Sequence, residues 1–72
     1  MMSGYNGWVN YATWNIAHHI GNDEFWYHAA GASNNYTDFC KRITATETAD
    51  HVSLSEGDDE ELDELISEIR NG

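Results

Sequence analysis

The sequence contains no proline, a single cysteine and only three Lys plus Arg residues among 72. Without proline, nothing in the chain forbids a helix from continuing, so helix ends must be set by glycines and by polar capping side chains. One thiol excludes an internal disulfide, and no C-x-x-C or H-E-x-x-H spacing accompanies it to suggest a metal site. Three cations against thirteen Asp plus Glu leave a formal charge of −10 and a pI near 4.3. That balance argues against a general phosphate-binding surface and therefore against direct nucleic-acid binding. The chain also lacks an apolar run of membrane-spanning length and a basic start followed by a long apolar stretch. It reads as a cytoplasmic chain with no membrane partner.

What charge there is lies at one end. Up to Thr46 the chain is nearly neutral, with Asp23, Glu24 and Asp38 against Lys41 and Arg42. Beyond it stand Glu47, Asp50, Glu56, Asp58, Asp59, Glu60, Glu61, Asp63, Glu64 and Glu68 against Arg70 alone. Every aromatic residue lies in the neutral part, between Tyr5 and Phe39. A chain this short forms one domain at most. The expected organisation over 1–72 is an aromatic helical core at 5–43, a linker at 44–57 and an acidic helix at 58–70.

The predicted fold class is all-α, a small bundle of three to four short helices with an acidic amphipathic C-terminal helix. Residues 1–7 read as an irregular arm with a turn at Asn6-Gly7. Asn10 is a plausible N-cap for a first helix from Tyr11 to Ile20, with Thr13, Trp14, Ala17 and Ile20 near one face and Gly21 as its left-handed stop. Asn22 is then expected to cap a second helix with Asp23 and Glu24 in its first turn, running through Phe25, Trp26, Ala29 and Ala30. After a connection at 31–35, Tyr36, Phe39, Cys40 and Ile43 repeat at i, i+3, i+4, i+7 and predict a third helix. The segment from Thr44 to Gly57 reads as a loop with a short turn or strand at 49–54. Leu62, Leu65, Ile66 and Ile69 have the same helical spacing and predict the last helix, acidic in its first turn and closed by Arg70.

The opening Tyr5-Asn6-Gly7-Trp8, Asn10 and Thr13-Trp14, followed by Asn22-Asp23 and Tyr27, resembles a group of small uncharacterised bacteriophage and plasmid proteins. Their shared opening is Y-N-G-W-x-N-x-x-T-W, then N-D, and the likeness spans residues 4–28. The resemblance implies a compact helical protein carried by a virus or mobile element, and no activity comes with it. Where those proteins carry an apolar pair after the Thr-Trp segment, this sequence has His18-His19. In structural terms Trp8 is expected to pack over the first turns of helix one, while Asn10 and Thr13 satisfy free N–H groups at its start. Tyr5, Trp8 and Tyr11 form a second candidate partner surface, since amphipathic aromatics are enriched at binding hot spots.

Other constellations have plainer readings. His18, His19 and His28 with Glu24 are the sole candidate metal cluster, but spacing alone gives no set of convergent ligands, so the expected reading is partly exposed histidines near a helix C-terminus and no metal. Cys40 falls on a core stripe with no positioned base, which reads as a structural thiol. The acidic run lacks the D-x-D-x-D-G spacing of a calcium loop. Carboxylates on a solvated helix face lack the burial that tunes a catalytic pKa, so no enzyme and no cofactor are expected.

The acidic run itself carries the functional expectation. Glu60, Glu64 and Glu68, and beside them Asp59 and Asp63, recur every four residues, at ~6 Å intervals set by the helical rise. Like charges at that spacing destabilise a helix by a few tenths of a kcal/mol per pair, roughly. A small domain that tolerates them without interleaved lysines points to use of the negative field. Asp58, Asp59, Glu60, Glu61, Asp63, Glu64 and Glu68 are therefore the expected contacts to a basic, nucleic-acid-binding host protein. The leading expectation is a non-enzymatic phage or mobile-element inhibitor of host defence (CRISPR or restriction) or transcription that mimics nucleic acid in the host cytoplasm. The alternative is an interaction or assembly module whose last helix lays its apolar stripe in a partner's groove, the acidic face serving solubility alone. Salt adaptation is a third reading, disfavoured because residues 1–46 are nearly neutral.

Overall fold

The structure, a computed structural model, describes residues 7–72. Tyr5 and Asn6, and with them part of the expected arm and its turn, lie outside these residues; Gly7, at φ 96°, occupies the left-handed region that a turn glycine favours. Among the described residues the chain forms α1 (Tyr11–Asn22), α2 (Glu24–Gly31), α3 (Tyr36–Ile43), a short 3-10 turn (Leu54–Glu56) and α4 (Asp59–Asn71). The fold is a small all-α bundle with an acidic amphipathic last helix. None of these helices is long and apolar enough to cross a membrane.

Each α-helix starts on an Asn or Asp whose side chain accepts the N–H three residues on. Asn10 takes Thr13 at 2.8 Å, Asp23 takes Trp26 at 3.2 Å, Asn35 takes Asp38 at 2.8 Å and Asp58 takes Glu61 at 2.9 Å. Such caps satisfy N–H groups that have no partner inside the helix, and each is worth about 1 kcal/mol. Two expected helix ends are corrected here. Gly21 is not a stop but part of α1, and the cap of α2 is Asp23 rather than Asn22. Asp23 serves both helices, because its extended backbone turns the chain while its own N–H closes on the His19 carbonyl at 2.9 Å. No left-handed residue is needed at that junction. At the end of α3 one is used, and Thr44 takes it at φ 55°.

The core consists of Ile16, Ile20, Ala29, Ala30, Tyr36, Phe39, Ile43, Leu54, Leu62 and Ile66. It draws on every helix and on the 3-10 turn, so residues 44–57 are part of the packing and not merely a linker. It is also more aliphatic than expected. Of the aromatic residues described, Tyr36 and Phe39 alone are buried, with Trp26 packed edge-on to Phe39 at 5.6 Å, while Tyr11, Phe25 and Tyr27 are exposed. A domain of this size has too little interior to enclose all its large rings. The buried face of α1 is turned from the expected one as well, with Thr13, Asn15, Ile16 and Ile20 inside and Trp14 half-exposed.

Residues 44–57 make a turn closed by an isolated antiparallel bridge between Glu47 and Ser53, with no strand among the described residues. Buried Asn15 anchors this segment to α1. Its amide oxygen accepts from Thr48 Oγ1 and its amide nitrogen donates to Asp50 Oδ2, both at 2.8 Å. The Thr48 hydroxyl oxygen accepts in turn from the Asp50 and Val52 N–H groups.

Candidate functional site

The apolar stripe of α4 faces inward: Leu62 and Ile66 are fully buried, and Leu65 and Ile69 pack partly against the core. That orientation sets where the seven acidic residues of the run can point. Three of them have structural partners. Asp58 caps α4, Glu61 Oε1 accepts the Val9 N–H at 2.8 Å, and Asp63 Oδ1 accepts the Tyr36 N–H at 2.7 Å. These three carboxylates also serve the fold, because α3 and the chain before α1 need acceptors and α4 supplies them. Asp59, Glu60, Glu64 and Glu68 are exposed. Among the described residues no carboxylate of α4 is in an ion pair. Arg70, the single cation of the helix, instead donates to the Ser33 and Asn34 carbonyls at 3.3 and 3.1 Å.

Of the second candidate surface, Trp8 and Tyr11 are among the described residues. Trp8, half-buried, lines a shallow cleft of about 300 Å³ with Gly7, Glu61, Glu64, Leu65 and Glu68. The Val9 N–H bond to Glu61 seats this segment beside α4. Tyr11 lines another cleft with Asn10, Ala12, Val52 and Glu56. Tyr5 is outside the described residues. Thr13, expected to satisfy the start of α1, instead accepts the Asp58 N–H on its hydroxyl at 2.8 Å, which joins the beginnings of α1 and α4.

The histidines are dispersed. His18 stacks on Trp14 at 5.3 Å, His19 Nε2 lies 3.0 Å from Asp50 Oδ2, and His28 Nε2 lies 3.9 Å from Glu24. No group of three or more His, Cys, Asp or Glu among the described residues is placed to hold a metal ion. Cys40 is half-buried beside Tyr36, and burial pushes both the thiol and the phenol above their ordinary values. A thiol so shifted stays protonated and is a poor nucleophile. Asp38 and Asp50 are both held below the usual carboxylate range: Asp38 chiefly by the Asn34 N–H, Asp50 chiefly by the Asn15 amide and then by His19.

Comparison with protein families gives a match to a family of unknown function, DUF7249, across residues 1–72. The chain belongs to this family. No curated protein and no solved structure matches it. In this DUF7249 chain, the residues that sequence reading missed are those whose role depends on a distant partner. Asn15 lies more than thirty positions from Thr48 and Asp50 yet forms one network with them. The one sequence signal was an amide side chain between Trp14 and Ile16, at a position where an exposed residue would serve equally well.

Proposed function

We propose that this is a non-enzymatic protein of a phage or mobile element that binds and inhibits a host nucleic-acid-handling protein by acidic mimicry. The target is a basic protein of defence, such as CRISPR or restriction, or of transcription, met in the host cytoplasm. The observation that carries the reading is the row Glu60, Glu64 and Glu68 on the outward side of α4, exposed and without a neutralising cation among the described residues. Carboxylates repeating at ~6 Å along a rigid helix offer a basic cleft a charge pattern on the scale of a phosphate backbone. Their summed field speeds encounter with a basic partner. The mobile-element context rests on the resemblance of the opening motif.

The alternative module reading needs α4 to leave the bundle. Leu62 and Ile66 are wholly enclosed in the core, so presenting the stripe to a partner would expose it. At roughly 1.5–3 kcal/mol per buried large aliphatic side chain, that is a large share of what a small domain has.

The test is an affinity capture from host lysate with tagged protein beside the variant E60Q/E64Q/E68Q. Asp58, Glu61 and Asp63 are kept, because they cap or tie helices. Capture of a nucleic-acid-binding protein by the wild type, weakened by the variant and by raised ionic strength, supports mimicry. Equal capture by both proteins refutes it.

A further inference from the structure

A cleft of about 540 Å³ opens where α3, the 3-10 turn and the start of α4 meet. Its apolar lining comes from Tyr36, Cys40, Ala45 and Leu54, and serine and threonine side chains complete the rim. Tyr36 is held in place by its hydroxyl, which donates to the Leu54 carbonyl at 2.7 Å and fixes α3 to the turn. The volume falls within the ~300–1,000 Å³ of small-molecule sites, which combine a largely apolar lining with a few placed polar groups. Here the polar groups are two opposite charges, Lys41 of α3 and Asp59, the first residue of α4. Both are exposed, and among the described residues neither side chain has a hydrogen bond or an ion pair, with the other or with any third group. The remaining cations are engaged, Arg42 with Asp38 and Arg70 with the Ser33 and Asn34 carbonyls. The Asp59 charge acts on both Tyr36 and Cys40, which sets it against the apolar lining.

We propose that this cleft binds a short apolar zwitterion, a dipeptide, with its carboxylate at Lys41, its ammonium at Asp59 and its side chains on Tyr36, Cys40 and Leu54. Charge selects this class. An anion would meet Asp59 and the field of a chain at −10. A cation would meet Lys41, and the open row of α4 would serve it better. A molecule that is neutral overall and carries both charges satisfies each end and is not repelled by the field. Separation selects its length. Lys41 and Asp59 do not pair with each other, so a ligand that answers both must hold its own charges apart. A single amino acid carries them on one carbon, whereas a dipeptide adds a Cα–Cα step of ~3.8 Å. The apolar side chains supply the affinity, and the two exposed ion pairs supply the selectivity.

The experiment is an NMR titration of the full chain with three probes, Leu-Leu, acetyl-Leu-Leu and Leu-Leu-amide, at about 0.15 M ionic strength so that the long-range field is screened. The expected result is a Kd for Leu-Leu about three-fold lower than for either blocked form, the gain of one exposed ion pair. The amides of Cys40, Lys41, Leu54 and Asp59 should move most. Lys41→Gln should give Leu-Leu and Leu-Leu-amide the same affinity, and Asp59→Asn should do so for Leu-Leu and acetyl-Leu-Leu. The wild-type comparison decides the matter even where a variant fails to fold. Equal affinities for the three probes, tighter binding of either blocked form, or no shift at the cleft amides with Leu-Leu each overturn the assignment.

Discussion

The Asp63 carboxylate accepts the backbone N–H of Tyr36 at 2.7 Å and so ties the first residue of α3 to the middle of α4. Tyr36 N–H is one of the N–H groups at a helix start that find no partner within the helix. Asp63 therefore differs in kind from its neighbour Glu64, although both are exposed acids in one run. The negative surface of α4 has a structural edge, formed by Asp58, Glu61 and Asp63, and a free row, formed by Glu60, Glu64 and Glu68.

That division is measurable. Asp63→Ala should lower stability by about 1 kcal/mol, in the range for a hydrogen bond to a partly solvated charge. Asp63→Asn, which keeps an acceptor oxygen, should recover part of the loss. Urea denaturation followed by circular dichroism reads both. An alanine variant as stable as the wild type would remove the link between α3 and α4 from the account.

Gly57 lies where the 3-10 turn meets α1, α3 and α4. A Cβ there would fall 2.6 Å from Leu62 Cδ1, 2.8 Å from Ile16 Cδ1 and 3.2 Å from the Tyr36 hydroxyl. Its φ of −73° suits any residue, so the constraint is space and not backbone conformation. Gly57→Ala should destabilise by roughly 1–3 kcal/mol, as overpacking of a filled core does. A melting temperature unchanged in this variant would show that the core can yield at this point.

The last two helices, α3 and α4, were legible because each carries its own apolar period. Tyr36, Phe39 and Ile43 are buried as their spacing predicts, and so are Leu62 and Ile66. The helix junction at residues 21–23 was misread because glycine and asparagine give the same local signal whether a helix ends there or passes through. Asp23 decided the matter by combining an extended backbone with a side-chain cap. The aromatic count misled for another reason. Phe25 is 63% exposed, since burial depends on which side of α2 meets α1, α3 and α4, and hydrophobicity alone does not say. For the candidate site, the acidic row could be read from its four-residue repeat. The Trp8 cleft could not, because it joins positions more than fifty residues apart.

The Asn15 network predicts both a mutational and a pH effect. Asn15 and Thr48 are buried, and Asn15→Ala leaves the Thr48 hydroxyl without its acceptor. The loss should be about 1–3 kcal/mol. Asp50 is held below the usual carboxylate range by the Asn15 amide and by His19. The fold therefore favours its ionised form, and its contribution is fully present above the unfolded-state pKa, near ~3.9. It is lost as pH falls through the lower folded value. Melting curves should show the wild type more stable than Asp50→Ala at pH 6, with the gap closing on acidification. A gap that stays constant would mean that the Asp50 charge is not what secures residues 44–57 to α1.

The free row of carboxylates should carry a stability penalty that its neutralisation relieves. Glu64 stands four residues from both Glu60 and Glu68, and Glu68 lies near the negative end of the helix dipole. E64Q/E68Q removes both i, i+4 repulsions and one unfavourable charge near the C-terminus. It should therefore raise stability by roughly 0.5–1 kcal/mol, or a few degrees in Tm for a domain of this size. Added salt should stabilise the wild type more than the variant, since screening weakens the repulsion that the variant lacks. Differential scanning calorimetry at two ionic strengths measures both effects. A variant less stable than the wild type would mean that these carboxylates support the fold, and the argument that the row is retained for binding would lose its physical basis.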